Sequence, residues 1–355
     1  MPKVAVIGTT SWGTTLATLL ARKGLDTALW ARSETEAQTV RCTGPGPTKR
    51  HRFPRSLTVT SDIKESLCGA AAVILAVPSQ SMRQNMKLAA PHIAPSTLII
   101  SAAKGLEIGT GKRMSQVVLD EVGPSRQANI CVLSGPNLSD EITRRLPAAT
   151  VLAAEDEAIA RRAQKLLATP DLCIFTNTDV IGVELGGSLK NIVALGAGMV
   201  DGLGYGDNAK AALLTRGLTE ISALGVALGA SPLTFSGLAG LGDMIATCAS
   251  PLSRNHYVGV ELAKGRPLAE ITGAMDGVAE GLATTKAVHA LAGKMDIEMP
   301  ITETMYRVLY EGADIRQAAA ELMNAGAAHE LAGRKWRLFS SIRNRRASAR
   351  SGRPS

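Results

Sequence analysis

Val4-Ala5-Val6-Ile7-Gly8-Thr9-Thr10-Ser11-Trp12-Gly13 is a short apolar run that ends in a glycine-bearing turn, and helical spacing follows at residues 14–23. The pattern is a phosphate-binding turn between a strand and a helix, G-x-G-x-x-G, with Thr10 standing where the second glycine belongs. Gly8 is placed to make the tight turn, and Gly13 to let helix and strand pack closely. The middle position normally lets the backbone approach a pyrophosphate. A threonine there costs roughly 1–2 kcal/mol if a positive φ is required; alternatively, its hydroxyl is offered to a phosphate oxygen.

Apolar runs of similar length recur at 27–30, 72–77, 98–101, 130–133, 149–152 and 172–175, with helix-like pieces such as 159–168 between them. Several runs are continuous rather than alternating, as parallel strands covered on both faces require. The reading is α/β: an N-terminal Rossmann-like, doubly wound dinucleotide-binding domain over residues 1–178. After Asp179 the strand signal stops. Helical spacing with glycine-rich joints runs through 189–199, 208–224, 244–248, 255–263, 284–292 and 301–310, which predicts an all-helical C-terminal domain over 179–333. Residues 334–355 lack apolar periodicity and are expected to form a basic, disordered tail. About twenty residues past such a turn, an NAD-selective site places Asp or Glu for the ribose 2′-hydroxyl. This chain has Arg32 there, with the basic stretch Lys49-Arg50-His51-Arg52 beyond it. A cation at that place neutralises a 2′-phosphate, so NADPH is favoured over NADH.

At 355 residues the chain fits two domains. Its 45% hydrophobic and 20% charged residues supply a substantial core and exclude disordered and collagen-like classes. The net charge of +8 suggests a nucleic-acid binder until it is mapped. Eight Lys/Arg and no Asp/Glu lie in 334–355, which leaves 31 basic residues facing 31 acidic ones elsewhere. With only 3% aromatic residues there are also few platforms for stacking bases, so no nucleic-acid partner is expected. Cys42, Cys68, Cys131, Cys173 and Cys248 form no Cys-x-x-Cys pair, which reads as free buried thiols in a reducing compartment. Met1-Pro2-Lys3 runs straight into an apolar strand without signal-peptide anatomy, so a cytoplasmic location is expected. Residues 221–242 carry no charge, but glycine and proline breaks, among them Gly225, Gly229, Pro232, Gly237 and Gly240, read as buried helix, turn and helix, and no stable membrane insertion is expected.

The polar residues set among glycine and apolar neighbours carry the chemistry. Ser101-Ala102-Ala103-Lys104-Gly105 ends a strand, where doubly wound sheets place ligand contacts. It matches S-x-x-K, but no Lys-Thr-Gly partner accompanies it. Ser134-Gly135-Pro136-Asn137 closes another strand and exposes backbone N–H groups to a small anion. In Gly182-Val183-Glu184-Leu185-Gly186-Gly187-Ser188-Leu189-Lys190-Asn191, the paired glycines let a flat ring approach the backbone, with Lys190 on the helix directly after them. Gly237-Leu238-Ala239-Gly240-Leu241-Gly242-Asp243 leads to Thr247, which shares a helical face with Asp243. Ser253-Arg254-Asn255 precedes a helix and joins an N-cap, free helix N–H groups and a guanidinium fork into a phosphate site. Five isolated histidines and no H-E-x-x-H leave no metal constellation.

Gly182–Asn191, Asp201-Gly202-Leu203-Gly204-Tyr205-Gly206-Asp207-Asn208, Gly237–Asp243 and Ser250-Pro251-Leu252-Ser253-Arg254-Asn255 together resemble the NAD(P)-dependent glycerol-3-phosphate dehydrogenase family, from residue 3 to about 330. The resemblance implies reversible reduction of dihydroxyacetone phosphate to sn-glycerol 3-phosphate by NADPH or NADH, feeding phospholipid synthesis. The small-molecule partner is then a phosphate ester, and a homodimer is expected. It makes Lys190 the acid/base and lets Lys104 touch both substrate and cofactor. It puts Gly135, Asn137, Asp243, Ser253, Arg254 and Asn255 at substrate positions, with Arg254 also reaching the cofactor. Ser11, Trp12, Arg32, Ser139, Val278 and Glu280 fall on cofactor positions beside Gly8 and Gly13. Thr10, Ser139, Asp140 and the loop Pro47-Thr48-Lys49-Arg50 depart from the family's pattern, all in the cofactor half or at its margin. The residues leave two alternatives open: a reductase of another small carbonyl acid, against which the phosphate site argues, and an NADP(H)-binding sensor that has lost turnover through Thr10.

Overall fold

Val4 to Ile7 are fully buried, so both faces of this strand must be covered. The computed structural model, which describes residues 1–44 and 53–324, shows how. The basic stretch 49–52, the altered loop 47–50 and the tail 334–355 lie outside the described residues. Strands β1 (Lys3–Ile7), β2 (Asp26–Trp30), β3 (Leu57–Thr60), β4 (Ala70–Leu75), β5 (Leu98–Ser101), β6 (Ile130–Ser134), β7 (Ala148–Ala153) and β8 (Leu172–Asn177) form one sheet in the order β3-β2-β1-β4-β5-β6-β7-β8. The helices between them are α1 (Ser11–Arg22), α2 (Glu34–Thr43), α3 (Ile63–Leu67), α4 (Met82–Ala89), α5 (Met114–Val122), α6 (Ser139–Thr143) and α7 (Glu157–Leu167). One face of the sheet packs Val4, Val6 and Ile74 against Leu16 and Leu20 of α1 and Ala163 of α7; the other packs Ile7 and Leu75 against Met82 and Met86 of α4 and Val117 of α5. This is the doubly wound fold, and its strand order reverses between β1 and β4.

Two details depart from the sequence expectation. The described residues form eight strands rather than seven, because β3 is a four-residue edge strand with Thr58 turned to solvent, too short to show a pattern. The sheet is also not wholly parallel: β7 runs antiparallel to β6. The connection between them carries only the five-residue α6, which packs on α1 instead of crossing the sheet.

The second part contains α8 (Val180–Leu203), α9 (Gly206–Ala227), α10 (Pro232–Phe235), a π-helical turn at Leu238–Gly242, α11 (Asp243–Ala249), α12 (Arg254–Ala263), α13 (Leu268–Gly273), α14 (Glu280–Met295), α15 (Pro300–Tyr310) and α16 (Ile315–Asn324). Its core gathers around α8, with Leu185, Leu189 and Leu195 packed among Phe235, Met244, Val258 and Ile301. A smaller cluster, Val132, Val151 and Ala153 with Val180, Val183 and Ala239, joins the sheet to α8. The chain-charge gap at 221–242 is the end of α9, α10 and the π turn. Among the described residues, the helix long and apolar enough to cross a membrane is instead α8, and 94% of its most apolar window is buried within the protein. All five cysteines are unpaired; Cys131 and Cys248 are buried as expected, but Cys42, Cys68 and Cys173 are exposed.

The glycines near Lys190 belong to α8 itself, not to a joint before it. Asp179 caps this helix at Gly182 N, so it begins nine residues earlier than the apolar spacing suggested. These glycines admit neighbouring protein rather than a ring. A Cβ on Gly186 would meet Ala239 O at 2.6 Å, and one on Gly187 would meet Ser134 Oγ at 2.1 Å. Farther along, Gly198 of α8 and Gly259 of α12 bring the two backbones into contact, and a Cβ on Gly198 would lie 2.0 Å from His256 O. Gly198→Ala should therefore destabilise the protein by about 1–3 kcal/mol through overpacking. Gly293→Ala, in α14 with nothing within 4 Å of the new Cβ, should leave stability unchanged or raise it. Thermal denaturation of the two variants checks this, and equal midpoints would refute the close crossing.

Candidate functional site

The strand-order reversal opens a cleft of about 680 Å³ at the carboxyl ends of β1 and β4, where doubly wound sheets place their ligands. The turn at residues 9–12 forms one end of its lining, Lys104, Lys190 and Asp243 its floor, and 252–255 with 276–280 the wall from the helical part. Sequence candidates far apart in the chain thus share one cavity. Gly8, Gly13, Arg32 and Gly135 do not line it directly.

Gly8 adopts φ +112°, and a Cβ there would meet Ala76 O at 2.7 Å. A Cβ on Gly13 would lie 2.0 Å from Gly8 O, so the third glycine is required for the helix to rise this close to the strand. Thr10 overturns the expectation of strain. Its φ is −59°, and its hydroxyl neither strains the turn nor waits for a phosphate oxygen. It donates to Ala76 O at 2.7 Å and accepts from Gly13 N at 3.1 Å, serving as the N-cap of α1. The departure from glycine exchanges backbone freedom for a capped helix end.

On the floor, one carboxylate serves two cations. Asp243, 1% exposed at the start of α11, accepts from Lys104 Nζ at 2.5 Å through Oδ2 and pairs with Lys190 Nζ at 3.0 Å through Oδ1. Lys190 also donates to the hydroxyl of Thr247, which in turn donates to Asp243 Oδ1 at 3.2 Å. Thr247 lies one turn beyond Asp243, and its side chain completes the polar cluster. Lys104 makes a second bond to Gly135 O at 2.7 Å, tying the end of β5 to the turn after β6. Two cations on one anion leave a net positive charge, suited to an anionic ligand. Burial pushes the Lys104 ammonium down to about 8, with Asp243 opposing and the Lys190 charge adding to the push.

The turn at 134–137 is held from behind. Gly135 has φ +148° and packs on Thr150, whose hydroxyl donates to Ser134 O at 3.0 Å and accepts from Asn137 Nδ2 at 3.0 Å. Asn137 Oδ1 is buried at the cleft without a partner, an acceptor available to a bound ligand. Opposite, Ser253 Oγ accepts from His256 N at 3.2 Å and caps α12, leaving the remaining free N–H groups of that helix end at the cleft. Arg254 lies against Gly277 and donates to Ser11 Oγ at 3.1 Å, so it reaches from the helical part to the dinucleotide turn. Asn255 is fully engaged: it donates to Asn191 Oδ1 at 2.9 Å and accepts from Gly281 N at 2.9 Å, linking α8, α12 and α14.

Trp12, Ser139, Asp140 and Val278 line the cleft. Glu280 bonds both the backbone N–H and hydroxyl of Ser79, and burial raises its pKa from the ordinary carboxylate range. Arg32 lies outside the lining of the cleft, its side chain 78% exposed and paired to Glu36. Sequence reasoning did not assign Asn191, Ser79 or Glu36 to the site, since their partners lie across elements that spacing cannot relate. Among the described residues, no group of three His, Cys, Asp or Glu side chains could hold a metal ion.

Lys104 carries a pH dependence with a definite sign. Between pH about 8 and 10.5 the unfolded chain still holds the proton that folded Lys104 has released, so stability rises with pH across this window. In urea denaturation, the advantage of wild type over Lys104→Met should be larger at pH 10 than at pH 7.5. A difference that stays constant would contradict the depressed pKa.

Residues 3–160 match the family model described as NAD-dependent glycerol-3-phosphate dehydrogenase N-terminus, and residues 179–320 match the corresponding C-terminus model. A glycerol-3-phosphate dehydrogenase (NAD(P)+) from Dehalococcoides mccartyi is 60% identical over 349 residues, covering 98% of this chain and 97% of its own. One from Streptomyces coelicolor is 46% identical over 332 residues, 92% of this chain and 98% of its own. The crystal structure of glycerol-3-phosphate dehydrogenase from Coxiella burnetii superposes with a TM-score of 0.85 at 38% identity, covering 91% of this chain and 98% of that one. Matched in both halves and along nearly its whole described length, this chain belongs to the NAD-dependent glycerol-3-phosphate dehydrogenase family.

Proposed function

We propose that this chain catalyses the reversible reduction of dihydroxyacetone phosphate to sn-glycerol 3-phosphate, with NADPH favoured over NADH, and that its product supplies phospholipid synthesis. The family makes it an NAD(P)-dependent oxidoreductase. The observation that carries the reading is the pair Lys104 and Lys190 on one buried carboxylate, at the floor of a cleft that begins at a dinucleotide turn. The cleft fits the cofactor: Gly8 keeps the turn tight, the start of α1 faces the cavity, and Asn137 Oδ1 is an unmet acceptor within it. Gly8, Ser11, Trp12, Gly13, Arg32, Lys104, Ser139, Arg254, Val278 and Glu280 would hold NAD(P)H, which when bound supplies the hydride.

In the reducing direction, Lys190 as an ammonium donates a proton to the substrate's carbonyl oxygen, which becomes the secondary hydroxyl. Asp243 and Thr247 aim the Lys190 Nζ and keep its proton directed. In the oxidising direction the neutral amine accepts that proton. Lys104 is a second cation beside the same oxygen, held by Asp243 and Gly135 O, and it stabilises negative charge as the carbonyl is reduced. Arg254 and the N-terminus of α12, with the backbone N–H groups there, including that of Asn255, and Ser253 as its cap, anchor the phosphate group; Asn137 bounds the other side, with Gly135 behind it. That remote anchoring positions the carbonyl. The reading includes a dinucleotide-binding domain at 1–178, a helical substrate domain from residue 179, a cytoplasmic location and a homodimer.

Oxidation of NADPH or NADH, followed with and without dihydroxyacetone phosphate, tests the proposal. Cofactor binding with no turnover at any substrate concentration would establish a sensor instead. Lys190→Ala should lower turnover by about 100-fold or more with little change in cofactor affinity, since it removes a proton donor needed in the transition state. A variant keeping a tenth of wild-type turnover would remove Lys190 from this role. Arg254→Ala should raise KM for dihydroxyacetone phosphate by about tenfold or more, because it loses charge-assisted bonds to the anion. With dihydroxyacetone, which lacks the phosphate, the variant and wild type should be equally slow; a selective deficit there would reassign Arg254.

A further inference from the structure

Arg32 does not stand free at the end of β2. Glu36, in the first turn of α2, accepts from Arg32 N at 2.9 Å, Arg32 Nε at 3.2 Å and Arg32 Nη2 at 3.3 Å. Its carboxylate also accepts from Thr9 Oγ1 at 2.6 Å, and Thr9 lines the cleft beside the dinucleotide turn. The Glu36 side chain is 23% exposed against 78% for Arg32, so the acid is the inner and the base the outer member of the pair. An acid at the end of the second strand selects a ribose 2′-hydroxyl, and a base there selects a 2′-phosphate. This chain supplies both at one place, the base from β2 and the acid from the following helix.

Building on the proposed cofactor site, we propose that Glu36 is the residue that sets the balance between NADPH and NADH, by neutralising Arg32 and opposing a 2′-phosphate. A ribose 2′-hydroxyl would take the place of Thr9 or of an Arg32 N–H on the Glu36 carboxylate, an exchange at no cost in charge. A 2′-phosphate must draw Arg32 away from Glu36 and then remain near a like charge. Burial pushes the Glu36 pKa up, but bonds from Arg32 and Thr9 outweigh it and hold the group below the usual carboxylate range, so it stays charged at neutral pH. Glu36 also has a local structural place: Ser33 Oγ accepts from Glu36 N at 3.2 Å as the cap of α2. Glu36→Gln keeps that backbone bond and an acceptor oxygen while removing the charge, and so separates the two roles.

Isothermal titration of NADPH and NADH without substrate provides a readout that needs no turnover. Glu36→Gln should raise the ratio of NADPH to NADH affinity by about tenfold, as expected for removing one charge a few ångströms from a phosphate dianion. Adding Arg32→Ala to Glu36→Gln should abolish the gain. An unchanged ratio, or equal losses for both cofactors with a lowered melting temperature, would make Glu36 a structural residue of the first turn of α2 and overturn the assignment. If wild type binds neither cofactor, the cofactor reading fails and this inference with it; if it binds both and the ratio does not move, only the inference about Glu36 fails.

Discussion

A carboxylate almost sealed from water cannot remain charged without partners, and Asp243 finds its partners on both sides of the molecule. Lys104 arrives from the end of β5, while Lys190 comes from the middle of α8 and Thr247 from the next turn of α11. Removing either part of the structure would leave the other with unpaired charge in a poorly solvated place, a loss of several kcal/mol by general experience with buried pairs, roughly 3–5. The contact between sheet and helices is therefore tied to the integrity of the site. Lys104 extends the tie by bonding Gly135 O, so that the turn after β6 is registered to the same carboxylate.

For Lys190 to stand at that point, α8 must run through the interior, with neighbours on nearly every side. Small residues make this possible. Gly186 and Gly187 admit the π turn and β6, and Gly198 admits α12 backbone to backbone. The helix is apolar enough to resemble a membrane span because its solvent is protein all round. Its charged and amide side chains each meet a partner: Glu184 meets Arg113 and Ser115, Asn191 meets Asn255, Lys190 meets Asp243 and Thr247, and Asp201 meets Lys210 and His256. Polar groups are tolerated along such a helix only where a partner has been built for them.

The two ends of the cleft differ in how firmly they are held. Around Asp243 the side chains are buried and cross-linked, which holds reacting groups at fixed distances. Around Arg32 and Val278 they are exposed, and the Arg32–Glu36 pair is within reach of solvent. An exposed ion pair is worth little on its own, about 0–1 kcal/mol, so it can be remade by a ligand without disturbing the fold. The charged groups around Asp243 lie in the rigid half, and the Arg32–Glu36 pair in the adjustable one.

The fold class was legible in the sequence because continuous apolar runs alternating with helical spacing have few other physical solutions, and because Gly8 and Gly13 mark a strand-to-helix turn that only a close approach of backbone explains. Short, weakly patterned pieces were not legible: the edge strand β3, the reversed direction of β7 and the early start of α8 depend on what packs beside them. At the site, residue type showed which side chains could carry charge or cap a helix, but not their partners. Thr10 is the clearest case, since its identity suggested strain while its φ and two hydrogen bonds show a cap. The pairing of Lys104 with Lys190 through Asp243, and of Arg32 with Thr9 through Glu36, joins residues by direction and distance. Sequence sets the chemistry of each group, but electrostatic and hydrogen-bond energies fall steeply with separation and angle, so only the tertiary structure decided which groups act on one another.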